Sequence, residues 1–481
     1  MVDAREYHDR TNHTLQELRE SSFRLDESNK PRPCKLYEDL PRVEPSGDPD
    51  PPDEPVLSAI ATADPTPPVD CDPAGDPDVH TLCHYATGVT KELDVRGQPT
   101  PFRAAACTGK LYHVDLYLAT GECGPDGPGV YHFDPHAGAF DVLRTGDYRG
   151  VLATATGGYP AVEDAPVTVV ATSEWWRNAW KYRERTYRHA FWDSGTILAN
   201  LLAVAHGAGH RAEVVAGFAD ESVVELLGLD PDDEAPLELV AVGSGDPVPA
   251  STASESTAGE SAASGSAVTD PSAVEPIDPA TKPLSRDPVD YPLVPDAWRQ
   301  SALDDGDAAE AWRGAFASES ADTSLGRRPS AADGDDRIAL DPVDAGTASA
   351  RPVGATIERR GSCREYSHDP ISARKFATVL DRALGGVPAD AFAGADLRGL
   401  VDCGLAGLVP RVLVGIGAGE PVLCARAARN CLHPAASPRP LLVRSPGLVA
   451  TAFVRVLFTF RFSSCLIFIV RSPAPGTPLD P

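Results

Sequence analysis

The residues best suited to chemistry lie in one short segment, Glu174 to His189, which reads EWWRNAWKYRERTYRH. Its side chains give a local net charge of +3 in a chain whose formal net charge is -27. Guanidinium and ammonium groups bind anions, and aromatic rings pack against flat ligands, so the segment could hold an anionic or planar ligand. The alternative is an amphipathic segment whose aromatic side chains enter the core while its charges face solvent. The basic residues are Arg177, Lys181, Arg183, Arg185 and Arg188, and the aromatic ones are Trp175, Trp176, Trp180, Tyr182 and Tyr187.

Two further segments have residue types that bind phosphate. Arg103, Thr108 and Gly109 lie just before a strong strand, where small residues let backbone N–H groups approach a ligand. Arg360-Gly-Ser-Cys-Arg364 places Ser362 between two arginines ahead of a helix, a pattern that can hold a phosphate group. Taken alone, the first segment resembles many turns that lead into strands, and the second is better explained as an exposed basic turn.

Composition narrows the class of protein. The chain has 70 acidic and 43 basic residues, only seven of them lysines, which indicates a salt-adapted (halophilic) protein. A surface this acidic repels nucleic acid and anionic membranes, so neither is an expected partner. The ten cysteines include no CxxC pair and the N-terminus is charged, which favours reduced thiols and a cytoplasmic location.

Three patterns favour structural or accidental explanations, and no metal site is predicted. His206 and His210 have i,i+4 spacing but no accompanying glutamate, which is typical of helix-end histidines rather than zinc ligands. Gly415-x-Gly417-x-Gly419 lacks the rest of a dinucleotide-binding fingerprint. The apolar run 452–470 contains two arginines, each costing about 2.5–3.5 kcal/mol at a bilayer centre, so a membrane anchor is disfavoured.

The pattern of apolar residues predicts an α+β domain. Residues 1–110 are proline-rich and expected to be irregular. Alternation from Leu111 predicts a strand, GVYHF and AFDVL predict a hairpin around Asp134–Gly138, and PVTVVAT predicts an interior strand. Apolar and small residues at steps of three and four predict a long helix from Tyr187 that ends near Gly207, followed by the strands EVVAGF and PLELVAV.

Composition also divides the chain into five parts. We expect an N-terminal extension (1–78), the α+β domain (79–244), an acidic Ser/Pro-rich linker with a segment of uncertain order (245–350), a partial second unit (351–402) with a short amphipathic helix around Phe376, and an aberrant tail (403–481). The tail has a net charge of +6, against -33 for residues 1–402, and contains no lysine. This abrupt change indicates a shift of the reading frame near residue 400.

Taken together, these segments resemble SagB-type dehydrogenases of the nitroreductase superfamily. The resemblance covers residues 1–243 and rests on LDESNKPRPCKLY, FRAAACTGKLYHVDLYL, GVYHFDP and RNAWKYRERTYRHAFWDSGTILANLLAVA. RRGSCREYSHDPIS resembles the start of a second, tandem repeat. Ala106-Cys107 stands where the family has Pro-Ser, and the first repeat lacks a clear RxSxR upstream of His84.

The resemblance implies a nitroreductase-like fold: a central mixed or antiparallel sheet flanked by helices, with a partial second repeat. It implies FMN as the cofactor and a homodimer or an intrachain pseudo-dimer that completes the site. The family pattern places FMN contacts at Arg103, Thr108, Gly109, Arg360, Ser362 and Arg364, and a catalytic pair at Lys181 and Tyr182.

The implied reaction is oxidation of an azoline-like ring in a modified peptide or a related small molecule. A generic NAD(P)H-dependent nitroreductase or quinone reductase is the first alternative. The second is a non-catalytic scaffold that binds a peptide or partner without flavin.

Independent sequencing of the gene tests the frame-shift hypothesis. Because the composition changes so abruptly, we expect that correcting one base near codon 400 will restore an uninterrupted acidic reading frame downstream. An intact frame in independently prepared DNA would show that the basic tail is authentic.

Overall fold

The computed structural model of this 481-residue chain describes most of its first 390 residues. The described residues are 4–61, 64–66, 75–95, 97–248, 250, 267–322, 341–344, 351–362, 369–384 and 386–390. Arg364 and the whole tail 403–481 lie outside them, as do the glycine pattern at 415–419 and the apolar run 452–470.

The central element is a seven-stranded sheet. The strands of the chain are β1 (Arg42–Val43), β2 (Val89–Val95), β3 (Gln98–Arg103), β4 (Val114–Thr120), β5 (Gly129–Asp134), β6 (Ala139–Thr145), β7 (Val167–Glu174), β8 (Ala212–Val215) and β9 (Glu234–Val242). The sheet has the order β1-β6-β5-β4-β7-β9-β8, and every named pair is antiparallel. β2 and β3 form a separate two-stranded hairpin.

Helices cover both faces of the sheet. They are α1 (Ala4–Thr11), α2 (Leu15–Glu20), α3 (Val56–Ala59), α4 (Val79–Thr87), α5 (Arg149–Ala155), α6 (Pro160–Glu163), α7 (Trp175–Tyr182), α8 (Thr186–Gly207), α9 (Asp220–Leu227), α10 (Leu293–Ser301), α11 (Gly306–Asp322), α12 (Val353–Arg359) and α13 (Ala373–Leu384). One apolar core contains residues of α4, α8, α10 and α12, and a second contains residues of α5, α6 and α9. Among the described residues, no helix is both long and apolar enough to cross a membrane.

The structure confirms the main strands and helices that were predicted from regularly spaced apolar residues. PVTVVAT is the interior strand β7, between β4 and β9, because its residues are buried on both faces and read as a continuous apolar run. The hairpin turns at Gly138, whose φ of 66° favours glycine. The amphipathic helix around Phe376 is α13.

The expectation that residues 1–110 are irregular was wrong for the helices α1, α2 and α3 and for the segment 79–103. Asp78 caps α4 by accepting hydrogen bonds from the N–H groups of His80 and Thr81. β3 contains Pro99 and Pro101, which disfavour an interior strand but are tolerated in a two-stranded hairpin. Helices α10 and α11 also lie in the segment whose order the sequence left uncertain.

The N-terminal extension packs along a segment that follows the linker. The N–H of Arg32 donates to the carbonyl of Leu284 at 2.9 Å, and the N–H of Lys282 donates to the carbonyl of Leu36 at 2.9 Å. We call residues 29–38 the N-terminal strap. Lys35 of the strap forms a buried ion pair with Glu234 of β9, so the strap is held by both backbone and charged contacts.

Several charged groups are buried where β4, β7 and β9 meet α7. Arg177 and Asp115 form a fully buried ion pair, and Arg177 also donates to the carbonyl of Tyr112 at 2.8 Å. Glu174 lies beside this pair. Burial and the nearby Glu234 carboxylate raise the pKa of Glu174 to about 8, although Arg177 and Lys35 oppose the shift. Glu174 is therefore protonated at neutral pH.

This protonation makes stability depend on pH in a defined direction. The folded chain keeps a proton on Glu174 up to about pH 8, whereas the unfolded chain releases it near a pKa of about 4.3. The contribution of Glu174 to the free energy of unfolding should therefore fall as pH rises from about 4 to 8. Glu174→Gln mimics the protonated group, so its gain in stability over wild type should be larger at pH 8 than at pH 5, by on the order of a few kcal/mol.

Urea unfolding at pH 5 and pH 8 measures this difference. Glu221→Gln, at an exposed position on α9, is the matched control and should show no pH-dependent gain. An equal effect of Glu174→Gln at both pH values would mean that Glu174 is already ionised in the folded chain.

Candidate functional site

The candidate site is built around the loop between β3 and β4, residues 104–113. The loop contains a turn of 3₁₀ helix at Thr108–Lys110, and Gly109 has a φ of 68°. Lys110 and Tyr112 also have positive φ values, 61° and 51°. Positive φ values are unfavourable for residues with a side chain, so the surrounding contacts must hold this loop in place.

Asp193, in the middle of α8, supplies those contacts. Its carboxylate accepts hydrogen bonds from the N–H and the hydroxyl of Thr108, at 2.8 and 2.7 Å. It also accepts from the Cys107 thiol at 3.0 Å and lies 3.0 Å from Nε2 of His113. The Nδ1 atom of His113 in turn lies 2.9 Å from the Ser173 hydroxyl, which fixes the plane of the imidazole ring.

The pKa values of these groups agree with their hydrogen bonds. Burial favours a protonated Asp193, but the hydrogen bonds from His113, Cys107 and Thr108 outweigh it and hold the pKa of Asp193 below its ordinary value. Burial and the Asp193 carboxylate raise the pKa of Cys107 well above that of a free thiol. Asp193 is therefore an ionised acceptor and Cys107 a neutral donor.

Cys107, His113 and Asp193 also have the composition of a metal site. Their donor atoms all lie within 4.8 Å of one another, although both carboxylate oxygens already accept hydrogen bonds. Hydrogen bonding accounts for the arrangement of the three side chains without a metal ion.

The structure brings the predicted pair Lys181 and Tyr182 to this loop. Both are half-buried at the C-terminal end of α7, where Arg183 has a φ of 50° and ends the helix. A Cβ atom at Gly109 would lie 2.8 Å from the Tyr182 hydroxyl, so Tyr182 packs directly on the turn and leaves no room for a side chain at position 109. The Tyr182 ring also contacts the ring of His189 edge-to-face, at 4.4 Å between centroids.

Two more predicted residues, Arg103 and Arg360, lie close together although 257 positions separate them. The Arg360 guanidinium donates to the carbonyl of Ala104 at 3.0 Å, and that of Arg103 donates to the carbonyl of Pro33 at 2.6 Å. In the described part of the chain neither forms an ion pair, and the Nε atom of each is buried without a hydrogen-bond partner. Burial lowers the pKa of both guanidinium groups. Two other residues of the segment Arg360–Arg364 were predicted to bind the cofactor. Ser362 is exposed, and Arg364 lies outside the described residues.

The remaining basic residues of the 174–189 segment have structural roles. Arg177 pairs with Asp115, and Arg188 donates to the carbonyl of His8 and to the Thr11 hydroxyl of α1. Arg185 donates to the backbone carbonyl of Thr11. Trp175, Trp176, Trp180 and Tyr187 are buried, as the core interpretation expects. Only Lys181, Tyr182 and Arg183 remain for a ligand.

Beside the loop is a small cavity with space for about one water molecule. Its lining includes the side chains of Arg103, Cys107, Tyr112 and Asp193. The cavity places a buried guanidinium and a thiol on one enclosed surface next to the Gly109 turn.

Sequence reasoning did not identify Asp193, Cys107 or His113 as site residues. Asp193 lies within the quoted WDSG motif, and an acidic residue on the apolar face of a helix is a signal that could have marked it. Which loop it holds depends on a contact between residues 85 positions apart, and no local pattern reveals such a contact.

Comparison with known proteins identifies the class of domain. Residues 110–244 match the model of the Nitroreductase family. The chain therefore contains a nitroreductase-family domain, and the antiparallel sheet with helices on both faces is the nitroreductase-like fold that the sequence predicted.

Individual relatives agree with this class. The chain is 28% identical to the microcin B17-processing protein McbC of Escherichia coli over 134 residues, which are 27% of this chain and about half (49%) of McbC. It is 25% identical to an assigned nitroreductase of Methanocaldococcus jannaschii over 158 residues, 33% of this chain and 75% of that protein. A crystal structure from Anabaena variabilis, also assigned as a nitroreductase, superposes with a TM-score of 0.50 at 18% identity, covering 80% of this chain and 69% of the other. That likeness concerns the fold alone.

The loop geometry predicts the effect of changing Asp193. Asp193→Asn replaces one acceptor oxygen with an amide N–H group that faces other donors, so the folded chain should lose about 1–3 kcal/mol and the loop should loosen. Limited trypsin digestion should then cleave faster after Lys110, and urea unfolding should measure the loss of stability. Asp307→Asn, at an exposed position in the first turn of α11, is the control. Unchanged cleavage after Lys110 would show that Asp193 does not hold the loop.

Proposed function

We propose that this chain is an FMN-dependent oxidoreductase that oxidises an azoline-like ring in a modified peptide or a related small substrate. The nitroreductase-family domain supports the general class of activity, and the McbC relative is a microcin-processing protein. The observation on which the proposal rests is the contact of Tyr182, next to Lys181, with the Gly109 turn. The Tyr182 hydroxyl lies against the turn and the Lys181 Nζ lies 5.2 Å from the centroid of the Tyr182 ring, which supports the proposal of a base and a hydroxyl next to the cofactor.

The residues fit FMN in their donor chemistry. Arg103 is a buried cation and Arg360 a half-buried one, neither has a carboxylate partner in the described chain, and the Nε–H of each is a donor without a partner that is available to a phosphate. The Thr108 and Lys110 N–H groups already donate to Asp193 and to the Cys107 carbonyl and so hold the turn, which leaves the exposed backbone of Gly109 as the part that a flat ring system could approach. We propose Arg103, Thr108, Gly109 and Arg360 as FMN contacts, and we extend the proposal to Ser362 and Arg364 through the family motif.

Oxidation of an azoline ring removes a proton from carbon and a hydride from the neighbouring atom. FMN, when bound, supplies the acceptor for the hydride. The proton needs a base within hydrogen-bond reach, and we propose the Lys181 amine for this role. Burial, together with Asp193 and Cys107, raises the pKa of Tyr182, so its hydroxyl stays protonated and can donate a hydrogen bond to the substrate.

Contacts within the chain support a tandem design. Arg360 lies in the segment that resembles a second repeat, yet it contacts the loop of the first domain, and Lys91 of β2 donates to the Arg360 carbonyl. We therefore favour an intrachain pseudo-dimer over a homodimer. The free thiols of Cys34, Cys83, Cys107 and Cys123 support our assignment to the cytoplasm, and the excess of acidic residues supports salt adaptation.

The first test is reconstitution of the purified full chain with FMN, followed by gel filtration and visible absorbance. Retained flavin supports the proposal, and a colourless protein would favour the scaffold alternative. Assays with a thiazoline-containing peptide and with NADPH plus a nitroaromatic then separate a peptide dehydrogenase from a generic nitroreductase, because the former should turn over the peptide faster.

Lys181→Ala should keep FMN but lose turnover of the thiazoline peptide by about 100-fold to 10,000-fold, the usual contribution of a general base. Bound flavin and the rate of azole formation are the two measurements. Lys375→Ala, at an exposed position on α13, is the matched control and should keep both. Full turnover by Lys181→Ala would show that Lys181 is not the base.

A further inference from the structure

Lysine is scarce in this chain, yet the lysines are not evenly distributed. Of the seven, Lys30, Lys110 and Lys181 lie around the end of α7, each with its ammonium near an aromatic ring. The distances from Nζ to the ring centroids are 5.6 Å for Lys30 and Trp180, 3.7 Å for Lys110 and Phe102, and 5.2 Å for Lys181 and Tyr182. Lys282 and Lys375 are exposed, and no cation–π contact joins either to a ring in the described chain.

Lys30 and Lys110 are close enough to repel one another. Burial lowers the pKa of Lys110, and the Lys30 ammonium lowers it further. Within the described residues neither ammonium forms an ion pair with a carboxylate, although the chain has 70 acidic residues. Two neighbouring cations without a counter-ion have an unfavourable interaction that a bound anion would offset.

The surroundings of the two ammonium groups are held in place. Lys30 follows a turn capped by Asp26, and the backbone carbonyl of Asp26 accepts a hydrogen bond from the Trp180 indole at 2.9 Å. Lys110 follows Gly109, which packs against Tyr182. The two cations and the rings of Phe102 and Trp180 therefore adjoin the Lys181–Tyr182 pair. We call Lys30, Lys110, Phe102 and Trp180 the lysine–aromatic patch.

We propose that the lysine–aromatic patch is an anion subsite that binds a carboxylate of the substrate next to the ring to be oxidised. This inference rests on the proposed function for the identity of that ring. Ammonium groups bind carboxylates through charge-assisted hydrogen bonds, and the half-buried ring of Phe102 provides an apolar wall for the adjoining flat group, whereas the buried Trp180 ring only supports Lys30. Because the rest of the chain is strongly negative, the patch also concentrates anionic substrates where the surrounding surface repels them. The expected substrate is therefore an acidic peptide or a carboxylated ring compound.

A pair of probes that differ only in charge tests the subsite without turnover. The dissociation constants of 4-nitrobenzoate and 4-nitrobenzamide are measured with the full chain by saturation-transfer NMR, in the absence of reductant. We expect wild type to bind the benzoate at least about tenfold more tightly, since one charge-assisted hydrogen bond is worth that factor. We expect Lys30→Gln/Lys110→Gln to lose this preference and the control Lys282→Gln/Lys375→Gln to keep it. Added salt should weaken the binding of 4-nitrobenzoate and leave the binding of 4-nitrobenzamide unchanged.

Three results would overturn the subsite: equal binding of both probes by wild type, a preference that survives in Lys30→Gln/Lys110→Gln, or an equal loss in the control variant. FMN retention by the same variants identifies the anion. If Lys30→Gln/Lys110→Gln loses FMN but keeps its benzoate preference, the two lysines bind the cofactor phosphate and the substrate proposal is wrong. Because probe binding needs no flavin reduction, it can succeed or fail independently of the proposed oxidation.

Discussion

Asp193 introduces a negative charge into the interior, on the longest helix of the domain. An ionised carboxylate without partners at this position would be costly, since burial favours its neutral form. Donors from the 104–113 loop meet that requirement, and in return the loop adopts backbone angles that it would not adopt alone. The position of the Gly109 turn, and hence of Tyr182 and Lys181, follows from this exchange. The shape of the loop at the candidate site therefore depends on the hydrogen bonds that stabilise the buried Asp193 carboxylate.

The sequence predicted the elements whose period is strong and local. The strand β7, the β5–β6 hairpin and α8 were all recognisable because their burial pattern repeats over neighbouring residues. α4 and the β2–β3 hairpin were missed because a short capped helix and a proline-containing strand carry little periodic signal. The sequence of residues 174–189 fitted both a ligand site and an amphipathic core segment, and the structure shows some of each. Arg177, Arg185 and Arg188 bind other parts of the chain, whereas Lys181 and Tyr182 lie at the candidate site.

The proximity of Arg103 and Arg360 was foreseen only through the family resemblance. Their types and local patterns were visible, but a contact over 257 positions depends on the packing of α12 against α8 and α3. The same holds for the N-terminal strap, whose partner segment lies beyond the linker. Such contacts are set by tertiary packing, which single-sequence patterns do not encode.

The N-terminal strap also bears on the order in which the molecule is made. It leaves the ribosome among the first residues, yet its hydrogen bonds reach segments about 250 positions later, such as the bond from Arg32 to the carbonyl of Pro283 at a separation of 251. Contacts of such long range form late, because the intervening chain must first be synthesised and its ends brought together. The nitroreductase-family domain thus emerges before the segment that pairs with the strap. During synthesis, Lys30 and the Pro33 carbonyl that binds Arg103 therefore lie in a strap that has not yet met its partner segment. The candidate site is complete only when a segment from outside the domain arrives, so its assembly depends on synthesis of at least about the first 290 residues.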